Sequence, residues 1–264
     1  MLRCRPTWRD NMKNGFIRLA GESLPIPKPT FHRLRFDKTA PAILNVSTIY
    51  PRRTLAMNDL VFYTNPQSRG RIAHWMLEEI GLPYETVWLE FGPAMKSREY
   101  LAVNPIGKVP ALQHGNALIT EAAAICAYLA DRFPEKNLIP PINHPARGDY
   151  FRRLFFAAGP LEQAVTAKAM DWQVPEEKSI SVGFGSYNAT IDALEKALLP
   201  GPYICGEQFT AADVYLGSQL GWGMMFGTIE KRPVFEEYVG RLYARPAALE
   251  AARINEDYMK NRKP

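Results

Sequence analysis

Residues 104–120 read Asn104-Pro105-Ile106-Gly107-Lys108-Val109-Pro110-Ala111-Leu112-Gln113-His114-Gly115-Asn116-Ala117-Leu118-Ile119-Thr120. Two short β-prone runs, 109–112 and 117–119, flank the turn-rich His114-Gly115-Asn116, which is the pattern of a hairpin. Proline cannot donate to a ladder, so Pro110 marks an edge position with free backbone groups nearby, where a peptide-like ligand can pair with Val109. A cis Val109–Pro110 bond is one alternative; the residues alone favour a plain edge strand, because most X-Pro bonds are trans.

Working outward, Leu60-Val61-Phe62-Tyr63 is β-prone and stops at Asn65-Pro66. Ile72, Met76 and Ile80 lie four apart, which predicts a helix over 69–80 closed by Gly81 and Pro83. Residues 84–89 read as a second strand and 94–103 as a short helix. After the hairpin, 120–133 predicts a helix with Ile125, Tyr128, Leu129 and Phe133 on one side and Pro134 as its stop. Residues 57–138 are thus a βαβαββα module. A proline-containing linker, 139–145, follows, and strand signals then nearly vanish. Helical stretches are expected over 146–170 (interrupted at Gly159-Pro160), 176–198, 210–226, 233–244 and from Pro246, making 146–264 an all-helical domain. Thr210-Ala211-Ala212-Asp213 has the form of a capping box. The fold class is α/β plus all-α.

The chain has 264 residues, 22% charged and 47% apolar, with a mean hydropathy of -0.23. That excludes collagen, coiled coil and a fully disordered chain. No stretch reaches the ~18 apolar residues a membrane-spanning helix needs, so no membrane partner is expected. Cys4, Cys126 and Cys205 are an odd, widely spaced set without C-x-x-C, which fits neither a disulfide framework nor a zinc site and suits a reducing compartment. The net charge of +5 is unevenly placed. Residues 1–56 hold 11 basic and 3 acidic side chains, a net of +8, leaving 21 basic and 24 acidic in the rest, a net of -3. A slightly acidic folded part has no electrostatic reason to seek a phosphate backbone, so no nucleic-acid partner is expected. With six prolines and no sustained periodicity, 1–56 reads as an extension. It is a transit peptide, a basic arm, or sequence upstream of a start at Met57; the last is favoured. The expected location is cytoplasmic, or an organelle if 1–56 is a transit peptide.

Three places suit chemistry, because ligands gather where helix N-termini offer free amides and positive partial charge. The first is 63–71, where Ser68 is either a ligand-facing hydroxyl or a plain N-cap; on residues alone the cap is favoured. The second is Val109-Pro110. The third is Thr120-Glu121-Ala122-Ala123, where Glu121 binds a ligand ammonium or merely complements the helix dipole. His32, His74, His114 and His144 have no metal-ligand spacing, so no metal is expected. G-x-S-x-G, P-loop and G-x-G-x-x-G patterns are missing from the sequence. Trp75, Trp88, Trp172 and Trp222 read as core.

From about Leu60 onward the chain resembles the glutathione S-transferase superfamily. The carriers are Asn65-Pro66-Gln67-Ser68-Arg69-Gly70-Arg71 ahead of Trp75-Met76-Leu77-Glu78-Glu79, then Asn104-Pro105-Ile106-Gly107-Lys108-Val109-Pro110-Ala111-Leu112, Leu118-Ile119-Thr120-Glu121-Ala122-Ala123-Ala124-Ile125, and Phe209-Thr210-Ala211-Ala212-Asp213. The resemblance implies a thioredoxin-like βαβαββα domain, an all-helical bundle domain, usually a homodimer, and glutathione as co-substrate. It also implies a cis Pro110, backbone pairing of Val109 with the cysteinyl part of glutathione, Lys108 near a carboxylate, and Glu121 with Ala122 at the γ-glutamyl end. Relatives commonly carry Ser or Thr where this chain has Ala122, so one hydrogen bond worth about 1 kcal/mol is lost.

For thiolate stabilisation the resemblance points to Ser68 as hydroxyl donor, with the Asn65 amide second. Asn65-Pro66-Gln67-Ser68 stands in the place of the thioredoxin C-x-x-C, which excludes dithiol chemistry. The activity implied is attack of the glutathione thiolate on a small hydrophobic electrophile, a detoxifying reaction. Glutathione-dependent disulfide or peroxide reduction and a non-catalytic binding role are the alternatives. Tyr150, Phe155, Phe156 and Trp172 are candidate walls of the electrophile pocket, although core packing is the plainer reading of each.

Overall fold

The computed structural model describes residues 60–262 and, before them, the backbone of two short strands. β1 (Phe16–Leu19) and β2 (Glu22–Pro25) pair antiparallel, with Ile17 opposite Leu24. Runs of four residues are too short for alternation to stand out, so the sequence carries no sign of this hairpin. The rest of the reading of 1–56 lies outside the described residues, as do Cys4, His32 and Met57. The chain divides into two compact units, Met1–Arg53 and Thr54–Pro264; the larger sheet and all the helices among the described residues belong to the second.

In that unit β3 (Leu60–Thr64) leads into α1 (Gly70–Ile80), β4 (Glu85–Trp88), α2 (Arg98–Val103), β5 (Ala111–His114), β6 (Ala117–Thr120) and α3 (Ala122–Arg132). The order is the expected βαβαββα. The sheet runs β4-β3-β5-β6, with β3 parallel to β4 and antiparallel to β5. α1 stops at Gly81, whose φ of 65° lets its amide close back on the Leu77 carbonyl at 2.9 Å. Gly70 at the other end is forced by contact: a Cβ there would lie 2.0 Å from the Thr64 hydroxyl, so only glycine lets the helix start this close to β3.

The helical domain holds α4 (Ala146–Phe156), α5 (Glu162–Ala169), α6 (Tyr187–Leu198), α7 (Ala211–Met225), α8 (Pro233–Tyr243) and α9 (Pro246–Asn261). At the expected interruption the chain makes a π-turn, Ala157–Leu161, with Pro160 inside it. Proline cannot supply the usual amide, and a wider turn absorbs the loss without ending the helix. The stretch expected over 176–198 divides into a 3-10 turn, Glu176–Ser181, and α6. Residues at the start of the linker are not loose: Leu138, Ile139 and Pro140 are buried, and the Leu138 carbonyl accepts from the Ala211 amide at 2.8 Å.

The capping box forms at the head of α7. The buried Asp213 carboxylate accepts from the Thr210 and Ile204 amides and the Tyr238 hydroxyl, each at 2.8 Å. Burial still pushes its carboxyl above the ordinary value.

α1 joins the two domains. Ile72, Met76 and Leu77 are buried in one continuous core that also includes Leu154, Leu161 and Leu216. Glu79 on α1 takes two bonds from Arg245, at 2.7 and 2.8 Å, and one from the Trp75 indole at 2.9 Å. The Arg245 guanidinium lies 3.5 Å from the Phe209 ring centroid. Glu79 is 7% exposed at its side chain, so removing its partner strands a buried charge. Arg245→Ala is expected to lower stability by about 3–5 kcal/mol, read from urea unfolding; an unchanged midpoint would show the pair to be dispensable.

His74 on α1 meets Asn255 of α9 at 2.9 Å. Burial lowers its pKa from 6.5 to about 4. The unfolded chain therefore takes up this proton at a higher pH than the folded one. Stability from His74 is full above about pH 6.5 and is lost as pH falls toward 4, by about 3 kcal/mol in all. His74→Gln should flatten that part of the stability–pH curve, measured by denaturant titration at stepped pH.

Candidate functional site

The loop before β5 is built by its own side chains. Asn104, 4% exposed, accepts from the Ile106 amide at 3.1 Å and donates to the Lys108 carbonyl at 2.8 Å. The Tyr100 hydroxyl donates to the same carbonyl at 2.7 Å. Gly107 has φ 62°, and a Cβ there would lie 2.4 Å from the Met95 carbonyl oxygen. Both conditions require glycine. The loop ends in a cis Val109–Pro110 bond. The amide and carbonyl of Val109 make no hydrogen bond among the described residues. The strand starts only at Ala111, between β3 and β6. This corrects the edge-strand reading: Pro110 sits just ahead of a central strand, and its missing N–H costs the ladder nothing.

Val109 and Pro110 open onto a cavity of about 790 Å³, walled by Lys108, Glu121 and Ala122 on the sheet side and by Phe155 and Tyr215 of the helical domain. The residues expected at glutathione thus share one cavity. Glu121 precedes α3 with φ 67° and ψ 120°, a conformation that costs a non-glycine residue roughly 1–3 kcal/mol. Ala122 is 6% exposed and begins α3, whose first amides have no helical carbonyl to bond. The side chains of Lys108 and Glu121 are exposed and pair with nothing among the described residues. A cation, an anion and an unpaired peptide edge therefore face one cavity, a pattern suited to a short zwitterionic peptide.

Asn65 and Ser68 lie elsewhere. Asn65 is 1% exposed; its amide donates to the Leu89 carbonyl at 2.7 Å and accepts from the Gln67 amide at 2.9 Å. The Ser68 hydroxyl donates to the Asn65 carbonyl at 2.7 Å and accepts from the Gly70 amide at 2.9 Å. Both side chains hold the turn that starts α1, and neither lines the first cavity. The cap-like reading of Ser68 describes its bonding better than the ligand-facing one.

The side chain that sequence reading missed is Arg69. It lines the first cavity and also a second one of about 720 Å³. Its guanidinium is ion-paired to Glu162, the first residue after the π-turn. Glu162 also accepts from Gln219, which donates to the Tyr215 hydroxyl at 3.2 Å. Burial, with the Glu162 charge adding, pushes the Tyr215 phenol up to about 12, so it keeps its proton at neutral pH. The signal for Arg69 in the sequence was only its place between Ser68 and the helix; Glu162 lies 93 residues away.

The second cavity is walled by Val165, Met170, Trp222, Met225 and Phe226, with Ser68 and Arg71 at its α1 side. Tyr150, Phe155, Phe156 and Trp172 do not line this second cavity. Tyr150 is fully buried, Phe155 serves the first cavity, and Trp172 is 66% exposed beside a separate surface cleft. Phe156 is half-buried against the core. Trp172 is therefore not core, and Trp222 is a cavity wall. Cys126 is buried and free, its thiol pushed up by burial; Cys205 is likewise free and pushed up to about 12. Among the described residues no group of His, Cys, Asp or Glu could hold a metal ion, and no helix is long and apolar enough to cross a membrane.

Residues 69–132 match the glutathione S-transferase N-terminal domain family and residues 155–222 the C-terminal domain family. Glutathione S-transferase GstA of Escherichia coli O157:H7 is 33% identical over 168 residues, which span 61% of this chain and 81% of that protein. Human glutathione S-transferase theta-2B is 30% identical, over 66% of this chain and 76% of its own length. A glutathione transferase structure from Methylococcus capsulatus superposes with a TM-score of 0.63 at 30% identity, covering 75% of this chain and 98% of that one. A sphingomonad glutathione S-transferase complexed with glutathione gives 0.61 at 27% identity, covering 74% and 98%. With its thioredoxin-like sheet followed by a helical domain, the chain belongs to the glutathione S-transferase superfamily.

Proposed function

We propose that this protein is a glutathione transferase that binds glutathione in the first cavity and directs its thiolate at a small hydrophobic electrophile in the second. The observation that carries the reading is the unpaired Val109 backbone beside Lys108, Glu121 and Ala122 in one cavity. The cysteinyl part pairs with Val109, Lys108 meets a carboxylate, and Glu121 with the first amides of α3 takes the γ-glutamyl end. The thiol loses its proton to water. Sulfur then attacks the electrophilic carbon; the C–S bond forms and the leaving group departs with its electron pair.

The thiolate stands at the N-terminus of α1, whose partial positive charge favours the anion. Arg69, common to both cavities, brings guanidinium N–H donors, held in place by Glu162, to where the two substrates meet. Ser68 and Asn65 act by holding that turn, not by touching sulfur. A homodimer, a cytoplasmic location and a detoxifying role belong to the same proposal and rest on the family.

Calorimetric titration with glutathione across pH is expected to show binding with proton release. Binding without turnover of any electrophile would favour the non-catalytic alternative, and turnover confined to disulfides or peroxides the reductase. Arg69→Met should leave roughly tenfold less thiolate at neutral pH, a rise of about one unit in the bound thiol pKa, followed by thiolate absorbance. Arg69→Lys should recover part of it, whereas a larger effect from Ser68→Ala would return the role to Ser68. Ala122→Ser restores one hydrogen bond, and about 1 kcal/mol corresponds to roughly fivefold tighter glutathione binding; no gain in affinity would mean the γ-glutamyl end lies elsewhere.

A further inference from the structure

We propose that the electrophile taken by the second cavity is apolar in body and anionic at one end, and that Arg71 selects it. The inference rests on the reading of the first cavity as the glutathione site. It adds a substrate class.

The cavity wall toward the helical domain is apolar and adaptable. Met170, Met225 and Phe226 are 59%, 65% and 72% exposed, which is a large apolar surface to leave in water around a concavity. Methionine side chains fit varied shapes. The charges are what restrict the choice. Among the described residues no acidic side chain lines the cavity, and two arginines do. Arg69 is neutralised by Glu162. Arg71 is half-buried and has no ion pair or hydrogen bond among the described residues.

The acids on its own helix are taken. Glu79 is held by Arg245, and Glu78 accepts from the Tyr84 hydroxyl. A lone guanidinium beside apolar walls, opposite a neutral ion pair, leaves the cavity with one uncompensated positive charge. Its planar fork matches a carboxylate in two hydrogen bonds, and such a bond strengthens where water is excluded. A neutral hydrophobic electrophile would leave that charge unmatched.

Two chloroarenes of the same reactive type separate the cases: chlorodinitrobenzene, which is neutral, and chlorodinitrobenzoate, which carries a carboxylate. In both, the C–S bond to glutathione forms, the C–Cl bond breaks, chloride leaves with the bonding pair and the thiol proton goes to water. The wild type is expected to prefer the benzoate in kcat/KM. Arg71→Gln should lower the benzoate-to-benzene ratio about tenfold, Arg71→Lys should restore part of it, and Arg71→Glu should invert it. A wild-type ratio near one, or a ratio indifferent to Arg71, overturns the proposal.

Quenching of tryptophan fluorescence by the benzoate, without glutathione, gives a second readout that needs no turnover. Arg71-dependent quenching with no calorimetric glutathione binding would sink the transferase reading and keep the anion site. Glutathione binding with Arg71-independent quenching and turnover would do the reverse.

Discussion

Glu79 sets its carboxylate in a place nearly sealed from water, where Arg245 and the Trp75 indole supply its partners. An unpaired carboxylate there would cost several kcal/mol, so the pair is a condition for α1 to lie where it does. α1 in turn lies beside both cavities: Arg69 just ahead of it lines both, and its own Arg71 lines the second. Its N-terminal turn separates the two cavities, its buried face is part of the core shared by both domains, and its C-terminal end carries this bond to the start of α9. The helical domain is thereby fixed to the sheet through a helix that belongs to the sheet.

Much of this was legible because the constraints are local. The Asn104–Pro110 loop is set by the Asn104 side chain, the positive φ of Gly107 and one proline, all within seven residues, so its sequence carries its shape. The capping box of α7 is a four-residue pattern and forms as read. The order of strands and helices followed from periodicity and breakers, with ends that moved by a few residues where 3-10 turns replaced regular helix.

What was not legible depends on distance in the chain. Nothing near Trp172 or Trp222 says that the first is exposed and the second walls a cavity; that is decided by how α7 lies against α5. The pairing of Arg69 with Glu162 joins two domains, and Glu162 reaches it only because the helix continues through a π-turn that the Gly159-Pro160 pair had suggested as a break. Ser68 is the opposite case. Its bonding is wholly local, to the Asn65 carbonyl and the Gly70 amide, and a serine in this place reads the same in sequence whether it serves the turn or a ligand.

Glu121 bears a backbone conformation that glycine would adopt freely, and a charged residue holds it at a cost. A glycine there would relax the fold while surrendering the carboxylate that faces the cavity. Under the proposed glutathione reading, selection for durability and selection for ligand capture pull this one position in opposite directions. In a lineage without that proposed chemistry, Glu121 would be among the first residues free to drift.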